Sequence, residues 1–270
     1  MAATTIDFDR ETVPVTDGKL GKLRRFNLVM GVAHLISGAL MLILGNDFKL
    51  EVSAFSLNGP PGTPLADGTI NSVFDVPLAA ATAAFLLLSA LFHFIIAAPA
   101  GFGRYSSEIR RGRNRFRWVE YSISSTLMIL LIGLVTGITD LAALIALAFA
   151  NVSMILFGWI MEMVNAADRR TWWTPFWFGC IAGIGPWAAI AIYIVVNVNQ
   201  PGGQGPPGFV YGIIFSLFFF FNTFAINQWL QYRQVGRWAD YTYGETVYIV
   251  LSLVAKSVLA WQIFANTLIG

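Results

Sequence analysis

Leu251-Ser252-Leu253-Val254-Ala255-Lys256-Ser257-Val258-Leu259 places one lysine in the middle of an apolar run covering residues 243–269. A helix needs roughly 20 apolar residues to cross a hydrocarbon core of about 30 Å, and this run is long enough. Lys256 then lies roughly 13 residues from either end, about 20 Å at ~1.5 Å per residue, too deep for its amine to reach an interface. A cation at that depth costs at least ~2.5–3.5 kcal/mol, so it must be neutral, paired or covalently modified. The stretch specifies a membrane helix whose lysine has a task.

Working outward, six more apolar runs precede it, at about 24–44, 76–98, 115–137, 140–164, 172–197 and 208–232. Of 270 residues, 56% are hydrophobic and 12% charged, too little charge for a soluble chain of this length. The expected fold is an all-α membrane protein, a seven-transmembrane bundle. A tail occupies residues 1–20 and the bundle domain 21–270. Asp7, Asp9 and Glu11 precede any apolar run, unlike a cleaved signal peptide. No internal repeat is present and seven is odd, which argues against an inverted-repeat transporter. The single cysteine, Cys180, lies in an apolar run and reads as inert packing. The net charge of +2 gives no basis for a nucleic-acid partner. No metal-spaced cluster, nucleophile–base arrangement or phosphate loop appears, so no catalytic or metal-ligating residue is assigned and no enzyme is expected.

Lys and Arg mark the cytoplasmic side. Fifteen of the 17 fall on one side: Arg10, Lys19, Lys22, Arg24 and Arg25, then Arg104, Arg110, Arg111, Arg113, Arg115 and Arg117, then Arg169 and Arg170, then Arg233 and Arg237. Lys49 falls opposite and Lys256 within a span. The expected protein is multi-pass in the cell membrane, its N-terminus cytoplasmic and its C-terminus extracellular. In the extracellular loop 45–75, Phe48, Leu50 and Val52 alternate with Lys49, Glu51 and Ser53, the period of a strand. Val73, Phe74 and Val76 supply a partner across the turn-rich Asn58-Gly59-Pro60-Pro61-Gly62. A small β-hairpin is expected there, with an irregular loop as the alternative. Residues 200–207 read as an irregular connector.

Few groups are available to partner Lys256. Glu120 lies in the third span, His34 in the first and His93 in the second, all toward the cytoplasmic half. Ser252 precedes the lysine by one turn, on the same helix face. Each has a bland reading. Glu120 stands three residues after Arg117, as in an ordinary helix pair, and a lone histidine often bonds between helices. Glu162 and Glu245 sit near span ends and read as interfacial, with no role.

Seven spans with a mid-depth lysine in the last resemble the microbial rhodopsins, in which that amine forms a Schiff base with retinal. The inverted orientation, the long first extracellular loop and Ser252-x-x-x-Lys256 resemble the heliorhodopsin branch. Arg117-Trp118-Val119-Glu120-Tyr121, Asn151-Val152-Ser153-Met154-Ile155 and Asn227-Gln228-Trp229 strengthen the likeness, which covers residues 20–270. The resemblance implies all-trans retinal on Lys256 as a protonated Schiff base, with Glu120 as counterion. It places Ser252 beside the Schiff base and His34 and His93 in a water-containing network. It carries over Asn151, Met154, Ile155, Gly158, Tyr193, Phe221 and Gln228 as pocket positions. Independently, 151, 154, 155 and 158 share one helix face, and aromatic walls suit a polyene. Core packing accounts for each of these as well.

Pumping relatives place an aspartate where Ser252 stands, and space third-span groups at i, i+4 and i+11. From Glu120 these are Glu120, Ser124 and the apolar Leu131, so a slow, non-pumping sensory photocycle is expected. A light-gated or passive ion pathway would use the same polar cluster, and a non-retinal scaffold would merely pair Lys256. Partners are the lipid bilayer, a second copy in a homodimer and a cytoplasmic signalling protein or anionic lipid at the arginine-rich loop. Gly179-x-x-x-Gly183 permits close helix approach in a dimer, or makes room for the retinal ring.

Overall fold

The computed structural model describes residues 13–165, 170–200 and 205–268. Asp7, Asp9, Arg10, Glu11, Arg169 and residues 201–204 of the fifth connector lie outside them. Among the described residues, α1 (Asp17–Leu44) leads to a hairpin of β1 (Lys49–Ser56) and β2 (Thr69–Pro77). Then follow α2 (Leu78–Ala97), α3 (Pro99–Arg110), α4 (Arg115–Val135), α5 (Leu141–Val164), α6 (Thr174–Val198), α7 (Gly208–Tyr232) and α8 (Tyr241–Ile263). All but α3 are long and apolar enough to span a membrane, giving the seven expected spans. Apolar side chains cover their outer faces, with Ile43 75% and Phe215 73% exposed. In lipid that arrangement carries no penalty, and the backbone satisfies its own hydrogen bonds.

The helix starts are written in polar side chains. Thr16, Asn114, Asp140 and Asp240 each precede a helix, and each accepts a bond from a backbone N–H of its first turn. The α4–α5 turn closes on Gly137, whose φ of +97° a side chain tolerates poorly, with Ile138 N–H donating to the Gly133 carbonyl at 2.9 Å. Two features add to the sequence reading. First, α1 begins at Asp17, so residues 17–20 continue the first span as helix. Second, the arginine-rich connection contains α3, which begins on Pro99 and buries Tyr105 and Ile109 against Leu20, Leu23 and Ile96. Its glycines and charges concealed that amphipathic face.

The expected hairpin is present. Lys49 pairs with Pro77 and Ser56 with Thr69, antiparallel, with a bulge after Val52. There Ser53 turns to the bundle: its N–H donates to the Thr139 carbonyl at 2.9 Å, and the two hydroxyls lie 3.1 Å apart. Val52 is buried in the same core as Ile138. Inside the bundle, α1 packs on α2, α2 on α4, α4 on α5, α5 on α6 and α7 on α8, while α8 returns to α1 and α2. Helices α4 and α8 thus run through the centre, where the charged side chains gather.

Candidate functional site

Lys256 is 3% exposed at mid-length in α8. Its Nζ donates to Glu120 Oε1 at 2.9 Å and to Ser252 Oγ at 2.7 Å, and it lies 5.0 Å from the centroid of the Tyr121 ring. Glu120 reaches it from α4 and also accepts a 2.6 Å bond from Ser89 Oγ on α2. In a low-dielectric interior each charge is tolerable only because the other is adjacent and both are further hydrogen-bonded. The helix-pair reading of Glu120 with Arg117 is therefore set aside, since Glu120 turns to the lysine.

His34 and His93 stack on each other with centroids 5.5 Å apart and an interplanar angle of 15°. His93 Nδ1 lies 2.7 Å from Asn27 Oδ1, whereas neither ring nitrogen of the buried His34 has a partner among the described residues. Asn27, Ser89, His93, Glu120 and Ser252 border one small cavity of about 30 Å³, room for a water molecule.

Lys256 also lines a far larger cavity of about 510 Å³. Tyr121 and Met128 of α4, Met154, Ile155 and Gly158 of α5, Trp187 of α6, Phe221 and Gln228 of α7 and Tyr248 of α8 all line it. The volume falls in the ~300–1,000 Å³ range of ordinary ligand sites, and the walls are aromatic and aliphatic. Gly158 and Gly183 keep it open, since a Cβ would stand 2.5 Å from Trp118 Cζ3 at the first and 2.6 Å from Met154 Sδ at the second. A largely apolar cavity with an amine in its lining fits a polyene aldehyde such as retinal. Gly179 and Gly183 both face α5 of the same chain, so they serve this cavity.

Two expected pocket positions lie elsewhere. Tyr193 is six residues beyond Trp187, roughly 9 Å along the helix, and it packs near Gly137 at the hairpin end. Asn151 does not line the cavity; it donates to Thr126 Oγ1 and to Oγ of Ser125, which does line it, both at 2.9 Å. It thereby braces α5 on α4 beside the wall.

The reading of Glu162 and Glu245 as interfacial is also corrected. They are 1% and 0% exposed and both clasp the guanidinium of Arg117, itself 5% exposed. Asn114 N–H and Nδ2 donate to Glu162 and Glu245 at 2.9 and 2.8 Å, and Trp118 Nε1 also donates to Glu162. The Tyr248 ring lies 3.9 Å from the guanidinium carbon. Arg117 therefore leaves the set of surface cations that marks one side of the membrane. Ser89 was also missed, although its i, i+4 spacing to His93 on α2 carried the signal.

The sequence matches the family described as Heliorhodopsin over residues 23–268. No curated protein matches it. Among solved structures, the fold resembles a light-driven proton pump from Leptosphaeria maculans, with a TM-score of 0.60 and 17% identity over 94% of this chain and 97% of that one. It resembles the transmembrane domain of a Salpingoeca rosetta rhodopsin phosphodiesterase, with a TM-score of 0.64 and 14% identity over 92% and 85% of the two chains. A thermophilic rhodopsin is similar with a TM-score of 0.56 and 18% identity over 94% and 95%. At such identities the likeness is one of fold.

Proposed function

Because the chain belongs to the heliorhodopsin family, we propose that it is a light sensor that holds all-trans retinal on Lys256 and does not pump ions. The observation that carries this reading is that Lys256, whose Nζ is bonded to the Glu120 carboxylate, lines the 510 Å³ apolar cavity. Lys256 is the nucleophile that would condense with the aldehyde of retinal, releasing water. Bound retinal supplies absorption of visible light and a change of shape on isomerisation. Glu120 holds the nitrogen's positive charge in a medium where it would otherwise be lost, Ser89 and Ser252 hold Glu120 and the nitrogen in register, and the aromatic walls exclude water.

Proton movement is confined to one end. The polar groups Ser89, His93, Asn27 and Ser252 surround the small cavity, while α4 beyond Glu120 continues through the buried, apolar Met128 and Leu131. A directional relay needs a second polar station there. The arginine-rich end is cytoplasmic in this proposal, and it faces the signalling partner. Pairing of two chains belongs to the same proposal and is measured by native mass.

The test is a visible spectrum of purified protein after addition of all-trans retinal, with Lys256→Ala alongside. A red-shifted band that requires Lys256 supports the reading. Absence of any band beyond free retinal would overturn it.

A further inference from the structure

Helix α6 packs along α5 and helix α7 along α8, but α6 and α7 lack a comparable seam. At one end the Thr171 hydroxyl donates to the Tyr232 carbonyl at 3.4 Å. At mid-length Trp187 meets Phe218 and Phe221 edge-on, with ring centroids 5.2 and 5.5 Å apart. Four residues that line the 510 Å³ cavity are also exposed on the outer faces of these two helices: Ile184 and Ala188 of α6, Phe218 and Asn222 of α7. Ile184 is 64% and Phe218 48% exposed. The cavity that Lys256 lines thus reaches the lipid-facing surface between α6 and α7.

Depth relates this opening to the amine. Ile184 lies ten residues from Thr174, and Asn222 ten from Tyr232, roughly 15 Å from their shared end at ~1.5 Å per residue. Ala188 and Phe218 lie fourteen residues from the same end, roughly 21 Å. Ser252 accepts from the Lys256 nitrogen at 2.7 Å and lies eleven residues from Tyr241, where α8 starts at that end, so its depth is roughly 17 Å. Amine and opening share one level, within a hydrocarbon core of about 30 Å. Asn222 is a separate sign. Its carboxamide donates to the Phe218 carbonyl of its own helix at 2.8 Å, and it is exposed at a depth where polar side chains are costly and mark a path.

We propose that the Lys256 site accepts polyene aldehydes longer than retinal, the apocarotenals, whose chains leave between α6 and α7 into the bilayer. A sealed pocket limits the length of its ligand. This opening lifts the limit, because an apolar tail among acyl chains exposes no surface to water. In the condensation a C=N bond replaces the aldehyde C=O, and the oxygen leaves as water with two hydrogens of the amine. No oxidant or reductant is consumed. The inference rests on the light-sensing reading in taking Lys256 as the condensing amine, and retinal serves as the standard in its test.

Purified retinal-free protein in lipid vesicles is mixed with retinal or with a thirty-carbon apocarotenal, then reduced with borohydride, and the adduct is located by peptide mass. We expect a red-shifted band and a Lys256 adduct with both aldehydes, and neither in Lys256→Ala. Ala188→Trp and Ile184→Trp each place an indole at the opening. Each should lower the ratio of long to retinal adduct several-fold. A retinal adduct without the long one overturns the inference and leaves the light-sensing reading standing. No adduct with either aldehyde overturns both. An unchanged ratio in the two tryptophan variants overturns the route between α6 and α7.

Discussion

Gly158 and Trp118 face each other across the α4–α5 contact so closely that a Cβ on Gly158 would lie 2.5 Å from Trp118 Cζ3. The indole cannot retreat freely, because its Nε1 is bonded to Glu162. Gly158→Ala should therefore push the ring into the large cavity, at a cost of about 1–3 kcal/mol. Expected results are a lower melting temperature and a reduced yield of visible pigment on addition of retinal. A variant with unchanged stability and yield would show that the contact relaxes without entering the cavity.

The Lys256–Glu120 pair should behave as a unit in the retinal-free protein. Removing either charge strands the other in a dry site, so Lys256→Met and Glu120→Gln should each cost about 3–5 kcal/mol. The double variant removes both and should lose less than the sum of the two. Denaturation midpoints of the four proteins check this. Strict additivity would mean that the pair contributes no coupling.

Light should produce no protonophore-sensitive acidification or alkalinisation of cells expressing the protein. The reason is local: Leu131 is 3% exposed and sits in the apolar core where a relay needs a polar group. A sustained, protonophore-sensitive pH change would count against the non-pumping reading.

Ser53 holds the hairpin to the bundle through one backbone and one side-chain contact with Thr139. Ser53→Ala removes the hydroxyl alone and should cost about 1 kcal/mol. Ser53→Pro also removes the N–H donor, and should leave loop 57–68 cut faster by protease than in the alanine variant. Equal cleavage in both would show that the bulge is not the anchor.

Lys19 Nζ donates to Asp240 Oδ2 at 2.6 Å, tying α1 to the start of α8, and Thr242 donates to Oδ1. Partial burial works against the Asp240 carboxylate, but these bonds outweigh it and hold the carboxyl group below its usual range. A depressed folded value means that stability is complete above the unfolded value of about 4 and lost as pH falls through the folded one. The pair is 44% and 39% exposed, so the effect is at most ~1 kcal/mol. Asp240→Asn keeps a capping side chain. Its deficit in melting temperature near neutral pH should shrink toward zero in acid.

Much of this architecture could be read from residue order. Apolar run length gives the seven spans, period-two alternation gives β1, and burial cost alone singles out Lys256. Pairing was harder. Arg117 looked like one more loop arginine and Glu162 and Glu245 like span-end carboxylates, because each lies near the end of its own run. Only the convergence of α4, α5 and α8 makes them partners. Likewise, Asn151 shares a helix face with Met154, Ile155 and Gly158, yet its amide finds two hydroxyls on α4 and turns there. Periodicity identifies a face, but competing hydrogen-bond partners decide where a polar side chain on that face points.

The charges of α4 and α8 also bear on how the chain assembles. Along α4 a cation, Arg117, precedes an anion, Glu120; along α8 an anion, Glu245, precedes a cation, Lys256, and each finds its opposite on the other helix. Helix α8 thus supplies the partner that earlier helices leave Glu120 without, and adds a second carboxylate to Arg117, which Glu162 of α5 already holds. A slip by one turn would separate both at once, in a medium that heavily penalises unpaired charge. The same side chains that form the site therefore act as a lock on register, and a chain truncated before α8 would carry its fault into the bilayer as exposed, unmatched charge.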